Sequence, residues 1–150
     1  VEATIALRLP RDAASVPVIR QMLDSSLGAL GVQADIRDDI QLMLSEACSN
    51  VIKHATESDD YMVRTELSRD RCVIKVVDAG GGFEFSGTRP QAAPTSESGR
   101  GLQIMRALAD DIRFVKRQEK GSIVCLEKVL HFVDDAPGAS LLLDDEHQLR

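Results

Sequence analysis

Between residues 35 and 55 the apolar side chains Ile36, Ile40, Met43, Leu44, Ala47, Cys48, Val51 and Ala55 recur every three or four positions. That spacing predicts a long amphipathic helix with Asp35 placed to cap its start. A stripe of this length is stable only against another layer of structure. The rest of the chain offers such a layer. Ile5, Leu7 and Leu9 alternate across 4–9 and stop at Pro10, which reads as a strand. A first helix follows, with Ser15 as its N-cap, Pro17 in its first turn, the stripe Val16, Ile19, Leu23, Leu27 and Leu30, and Gly31 as its end. Runs 61–67 and 72–77 read as a hairpin, 100–108 as a short helix, and 112–116 and 123–129 as two more strands. Strand, two helices, two strands, helix, two strands predicts an α+β fold. The expected form is a two-layer sandwich of a mixed, mainly antiparallel sheet with helices on one face. Adjacent strand pairs with no helix between them argue against a doubly wound parallel sheet.

A chain of 150 residues is about one domain, large enough to bury a core without metal or disulfide support. Its 43% apolar and 28% charged residues exclude a disordered or collagen-like chain. No apolar run approaches the ~18 residues of a membrane-spanning helix, and no leader-like start is visible, so a soluble cytoplasmic protein is expected. The net charge of −6 is concentrated at the end, where Asp134, Asp135, Asp144, Asp145 and Glu146 face only Arg150. The division expected is therefore a domain over 1–133 and an acidic, flexible tail over 134–150, anchored at most through Leu141, Leu142 and Leu143. Without a concentrated Lys/Arg surface, direct nucleic-acid binding is not expected. Cys48, Cys72 and Cys125 are odd in number, far apart and outside any CxxC pair, and read as reduced core thiols.

Three departures from core logic follow one another along the chain. Glu46 and Asn50 lie four apart on the long helix, stacked on one side, inside an apolar neighbourhood. Asp78 ends a strand and is followed at once by Gly80, Gly81 and Gly82, and a glycine run is tolerated where the chain turns sharply or a ligand comes close. After an aperiodic stretch, read as a lid over 84–98, Gly99, Arg100, Gly101 and Leu102 open the next helix. Glycines at a helix start leave backbone N–H groups free at the positive end of the dipole, where phosphate oxygens are well received. Singly, each is as well explained by a solvated helix face or a plain turn. The last is neither a Walker A sequence nor a Rossmann fingerprint.

In this order, Glu46-x-x-x-Asn50, Asp78-x-Gly80-x-Gly82 and Gly99-x-Gly101-Leu102 resemble the nucleotide-binding motifs of the GHKL ATPase superfamily, with its Bergerat-type ATP-binding fold. The compact length and the run from Ser45 to Asn50 look most like the bacterial anti-sigma-factor serine kinases of the RsbW and SpoIIAB type. The resemblance covers roughly 4–130. It implies ATP and Mg2+ as cofactors, with Asn50 on the metal and Glu46 as general base. It also implies that Asp78 binds the adenine amino group, that Gly80 and Gly82 clear room beside the base, and that Gly99, Arg100, Gly101 and Leu102 lie along the phosphates. The implied activity is serine/threonine phosphorylation of a STAS-like anti-anti-sigma protein, with a sigma factor as alternative partner and a homodimer as one assembly. A nucleotide-gated binding module without kinase activity, and the ATPase domain of a larger signalling protein, stay open beside it. His54, Arg106 and Ser122 have equally ordinary structural readings.

Overall fold

The computed structural model describes residues 3–54, 60–78, 96–116 and 122–142. Five strands, β1 (Ala3–Pro10), β2 (Asp60–Leu67), β3 (Arg71–Asp78), β4 (Asp111–Lys116) and β5 (Ser122–Val129), form one sheet in the order β1-β2-β3-β5-β4. Each neighbouring pair is antiparallel. The helices are α1 (Ser15–Leu30), α2 (Ala34–His54), α3 (Ser96–Leu108) and α4 (Pro137–Leu141). This is the expected α+β sandwich, with the sheet antiparallel throughout. The pairing of Asp78 with Ser122 at the end of the β3–β5 ladder brings the two ends of the intervening excursion together.

Alternation in the strands decides which face the helices cover. Tyr61, Val63, Thr65 and Leu67 of β2 and Cys72, Ile74 and Val76 of β3 are buried, and they meet Ile40, Met43, Leu44, Ala47, Cys48 and Val51 of α2 in one core. On the opposite face the register lines side chains up in rows. Met62, Val77, Ile123 and Val115 make an apolar row, and Arg64, Lys75, Cys125 and Arg113 a largely basic one. Glu66, Val73, Glu127 and Asp111 make a third, largely acidic row. Ion pairs stitch the second row to the third, with Arg64 to Glu66 at 2.8 Å, Lys75 to Glu66 at 3.7 Å and Arg113 to Asp111 at 3.0 Å.

Capping differs in detail from the sequence expectation. Ser15 is the first residue of α1, and its hydroxyl is 2.6 Å from the Tyr61 hydroxyl instead of closing the helix start. A buried phenol needs a partner, and Ser15 supplies it. Asp12 takes over the turn, its carboxylate accepting from the Ala14 N–H at 2.8 Å. Asp35 lies in the first turn of α2 and accepts from the Ile36 N–H at 2.9 Å, where an acid also suits the helix dipole. Gly31 ends α1 in the left-handed conformation with φ 89°, and a side chain there would run into Ala136.

The chain from Phe132 to Leu142, which includes the first part of the segment 134–150 that the sequence assigns to a flexible tail, is folded against α1. Val133 N–H donates to the Gly31 carbonyl at 2.8 Å, and Ala136, Gly138 and Leu142 are buried. Gly138 sits so close to α1 that a Cβ would lie 2.7 Å from the Leu30 carbonyl oxygen. Lys128, near the end of β5, donates to the Leu108 carbonyl at the end of α3 at 2.6 Å and pairs with Asp39 of α2 at 3.1 Å. A cation on the last carbonyls of a helix meets the negative end of its dipole.

Candidate functional site

The long helix α2 presents Glu46 and Asn50 at the margin of its buried stripe. Both are half-buried, whereas Ala47, Cys48 and Val51 beside them are fully enclosed. α3 packs against this margin through Gly101. A Cβ on Gly101 would lie 2.7 Å from Glu46 Oε1 and 3.8 Å from Glu46 Cβ, so the glycine is what lets the carboxylate lie on the helix. Two residues that the motifs single out separately, 55 positions apart, are therefore in direct contact. Arg100, next to Gly101, is exposed, and Leu102 is half-buried against the core.

α3 starts earlier than the spacing of apolar residues predicts, at Ser96 instead of near residue 100. The segment before Gly99 reads Ser96-Glu97-Ser98, residue types suited to a first helical turn, but it has no apolar stripe for a pattern search to find. Gly99, Arg100 and Gly101 thus fall in the helix past its first residues and not ahead of it. Gly80, Gly82 and lid positions 84–95 lie outside the described residues. So does Ala55.

Asp78 closes β3 with no solvent exposure. Its Oδ1 accepts from Arg11 Nη2 at 2.6 Å, and the Arg11 side chain is itself only 10% exposed. A buried, charge-assisted contact of this length fixes the carboxylate at the end of the strand. Sequence reasoning did not find Arg11. It lies in the connection after β1, 67 positions from Asp78, and no local pattern marks it. Only the strand order, which sets β1 one strand away from β3, makes the pair readable.

A second buried polar link lies behind the α2 margin. Cys48 is drawn to the Tyr61–Ser15 pair, and burial pushes its thiol up to about 12 against the weaker lowering by the Tyr61 hydrogen bond. The Tyr61 hydroxyl is raised as well, by burial first and then by Cys48. Cys72, raised by burial to about 12, and half-buried Cys125 are likewise free thiols. Cys48 and Cys72 agree with the reading of the cysteines as reduced core thiols, whereas Cys125 lies on the sheet face opposite the core and is not part of it. Among the described residues no group of three His, Cys, Asp or Glu side chains is placed to hold a metal ion, and no helix is long and apolar enough to cross a membrane.

An open antiparallel sheet, a long helix carrying an acid and an amide, and a glycine-bearing helix lying on that acid define a class of nucleotide-handling domain. Residues 9–128 match the family described as histidine kinase-like ATPase domain, and the chain belongs to that family. Among its relatives is the serine-protein kinase RsbW of Bacillus cereus (strain Q1), 28% identical in an alignment 137 residues long that covers 84% of each chain. RsbW of Bacillus subtilis (strain 168) is 28% identical in an alignment 139 residues long that covers 85% of this chain and 86% of that one. In three dimensions the chain is similar to the crystal structure of the RsbU and RsbW domains of Rv1364c from Mycobacterium tuberculosis. There the TM-score is 0.66 and the identity 19%, over 87% of this chain. It spans about a third, 34%, of that longer chain, and the likeness is one of fold.

Proposed function

We propose that the protein is an ATP-dependent serine/threonine kinase of the anti-sigma, partner-switching kind. The observation that carries this reading is the Glu46–Gly101 contact, which sets a carboxylate against the helix that would flank the triphosphate. Family membership and relatives named as serine-protein kinases support it. Asp78 would accept a hydrogen bond from the adenine amino group, with Gly80 and Gly82 leaving room at the base. Gly99, Arg100, Gly101 and Leu102 would lie along the phosphates, the exposed Arg100 adding a positive charge. Asn50 offers a single amide oxygen, a donor suited to Mg2+, a hard ion that keeps most of its shell from water and phosphate oxygens and needs few protein ligands. When bound, that ion would neutralise charge on the β and γ phosphates.

In the transfer itself, a serine hydroxyl of the partner attacks the γ-phosphorus, the bond to the bridging oxygen breaks and ADP leaves. Glu46 takes the hydroxyl proton. The substrate proposed is a STAS-like anti-anti-sigma protein and the competing partner a sigma factor, met in the cytoplasm by a monomer or homodimer. Incubation with ATP, Mg2+ and the cognate antagonist should give phosphoserine on the antagonist, detected as a mass gain. Glu46→Gln should lose at least about a hundredfold in transfer rate while ATP still binds. A Gln variant as fast as the parent sinks the base assignment. An antagonist of unchanged mass that co-elutes only with ATP would favour a nucleotide-gated binding module instead.

A further inference from the structure

Arg11 is more than the counter-ion of Asp78. Its Nη2 is committed to Asp78 Oδ1, but Nε and Nη1 are buried and have no hydrogen-bond acceptor among the described residues. Buried donors without partners are rare and costly, and a guanidinium is a rigid fork whose remaining N–H groups cannot rotate away to find solvent. A lysine would hold the Asp78 oxygen with a compact charge whose donors turn about one bond, whereas the guanidinium fixes the direction of each of its N–H groups. A side chain nine-tenths buried, holding the proposed base-reading carboxylate with one nitrogen and keeping two others idle, is arranged for a ligand that brings its own acceptor beside a donor.

We propose that Arg11 is a specificity-determining residue for the nucleotide base, an assignment that rests on Asp78 being the residue that meets adenine. The edge of adenine around C6 presents an amino donor flanked on either side by a ring nitrogen, N1 or N7, that accepts. A carboxylate has two oxygens and several lone-pair sites, so Asp78 can hold Arg11 and the amino group together. An idle Arg11 N–H then donates to the flanking ring nitrogen. The pair reads the donor and the acceptor as a unit, and a purine with only one of them leaves a buried group unanswered, the situation in which polar sites discriminate most strongly.

The test uses the full chain and three probes: ATP, 1-deaza-ATP and 7-deaza-ATP, each of the latter lacking one flanking ring nitrogen. Dissociation constants are measured by calorimetry in the parent, Arg11→Met and Arg11→Lys. The lysine variant keeps a cation on Asp78 and guards against a methionine variant that does not fold. In the parent, one deaza analogue should bind about tenfold more weakly than ATP, and in both variants that gap should narrow to about twofold because ATP itself has lost the bond. A role confined to holding the fold would weaken all three nucleotides alike and leave the gap at its parental size. That result, or a parent that does not distinguish ATP from either analogue, overturns the proposal. Asp78→Asn separates the underlying reading. If it binds ATP as the parent does, base recognition by Asp78 fails and the inference with it. If it loses ATP while the Arg11 variants keep the parental gap, only the role of Arg11 falls.

Discussion

Gly101 and Glu46 show how closely a single hydrogen atom can govern the site. Alanine at 101 would bring a methyl group within 2.7 Å of Glu46 Oε1. The obstructed atom is the end of a flexible side chain, so the fold can yield by swinging the carboxylate aside, and alanine gains up to about 1 kcal/mol in helix propensity over glycine. Gly101→Ala should therefore keep or slightly raise the melting temperature while phosphotransfer falls by about tenfold or more, as displacement of a reacting group by an ångström does. Circular dichroism melts and a transfer assay on one preparation check both halves. The motif spacing made Glu46, Asn50 and Asp78 legible as residues of interest, since each is a polar group placed where core is expected. Their neighbours were not legible in the same way. Ser15 reads as a cap until the Tyr61 hydroxyl claims it, and Arg11 carries no signal until Asp78 is brought to it from across the sheet.

Glu66 carries a second prediction at this scale. The register puts Arg64 directly opposite Lys75, a like-charged pair that is unfavourable by itself. Glu66 reaches both, and its carboxyl is held below its ordinary value first by the Arg64 hydrogen bond and then by the nearby charges. A group depressed in the folded state adds stability that is complete above its unfolded value, near 4.5, and is lost as pH falls through the folded value. The pair is partly exposed, so the contribution is below about 1 kcal/mol. Denaturant melts of Glu66→Gln should show this deficit at pH 7, and the gap from the parent should narrow as pH falls below 4.5.

At the scale of elements, periodicity was a sound guide wherever packing follows local sequence. The stripe of α2, the alternation of the strands and the Gly31 stop of α1 all reappear in the structure, because each is a one-dimensional pattern imposed by one buried face. The start of α3 and the whole of α4 were not visible. The first turn of α3 has no apolar stripe, and α4 is only five residues long, too short for any period to declare itself. Its place comes from contacts with α1 instead, where Gly31 and Gly138 allow close approach. Leu142, 4% exposed, is the apolar anchor of this junction, whereas Leu141 is 67% exposed. Leu142→Ala should cost about 2–4 kcal/mol in urea unfolding and Leu141→Ala less than about 0.5 kcal/mol. Equal effects would show that the segment does not hold α1.

Across the whole molecule, the three thiols offer a probe of how the domain opens. Cys48 and Cys72 are buried with thiols raised to about 12, so at pH 8 almost none is in the reactive thiolate form. Cys125 lies half-buried on the sheet face opposite the core. A maleimide at pH 8 should label Cys125 first, with Cys48 and Cys72 following together at the rate of unfolding and all three reacting at once in denaturant. Mass spectrometry of time points checks the order. The fold class was legible from the order of elements, but the strand order was not. Chain order alone does not say that β5 inserts between β3 and β4, and it is that insertion which sets the start of β5 beside the end of β3.

Asp78 ends β3 and Ser96 begins α3, so both ends of the connection between them are held by folded elements. In polymer terms that connection is a closed loop whose entropic cost grows only with the logarithm of its length. Ten residues added between Asp78 and the start of α3 would cost about 0.4 kcal/mol on that scaling. Added length there is therefore nearly without thermodynamic expense, whereas the contacts of Gly101 with Glu46 and of Asp78 with Arg11 on either side admit no such change.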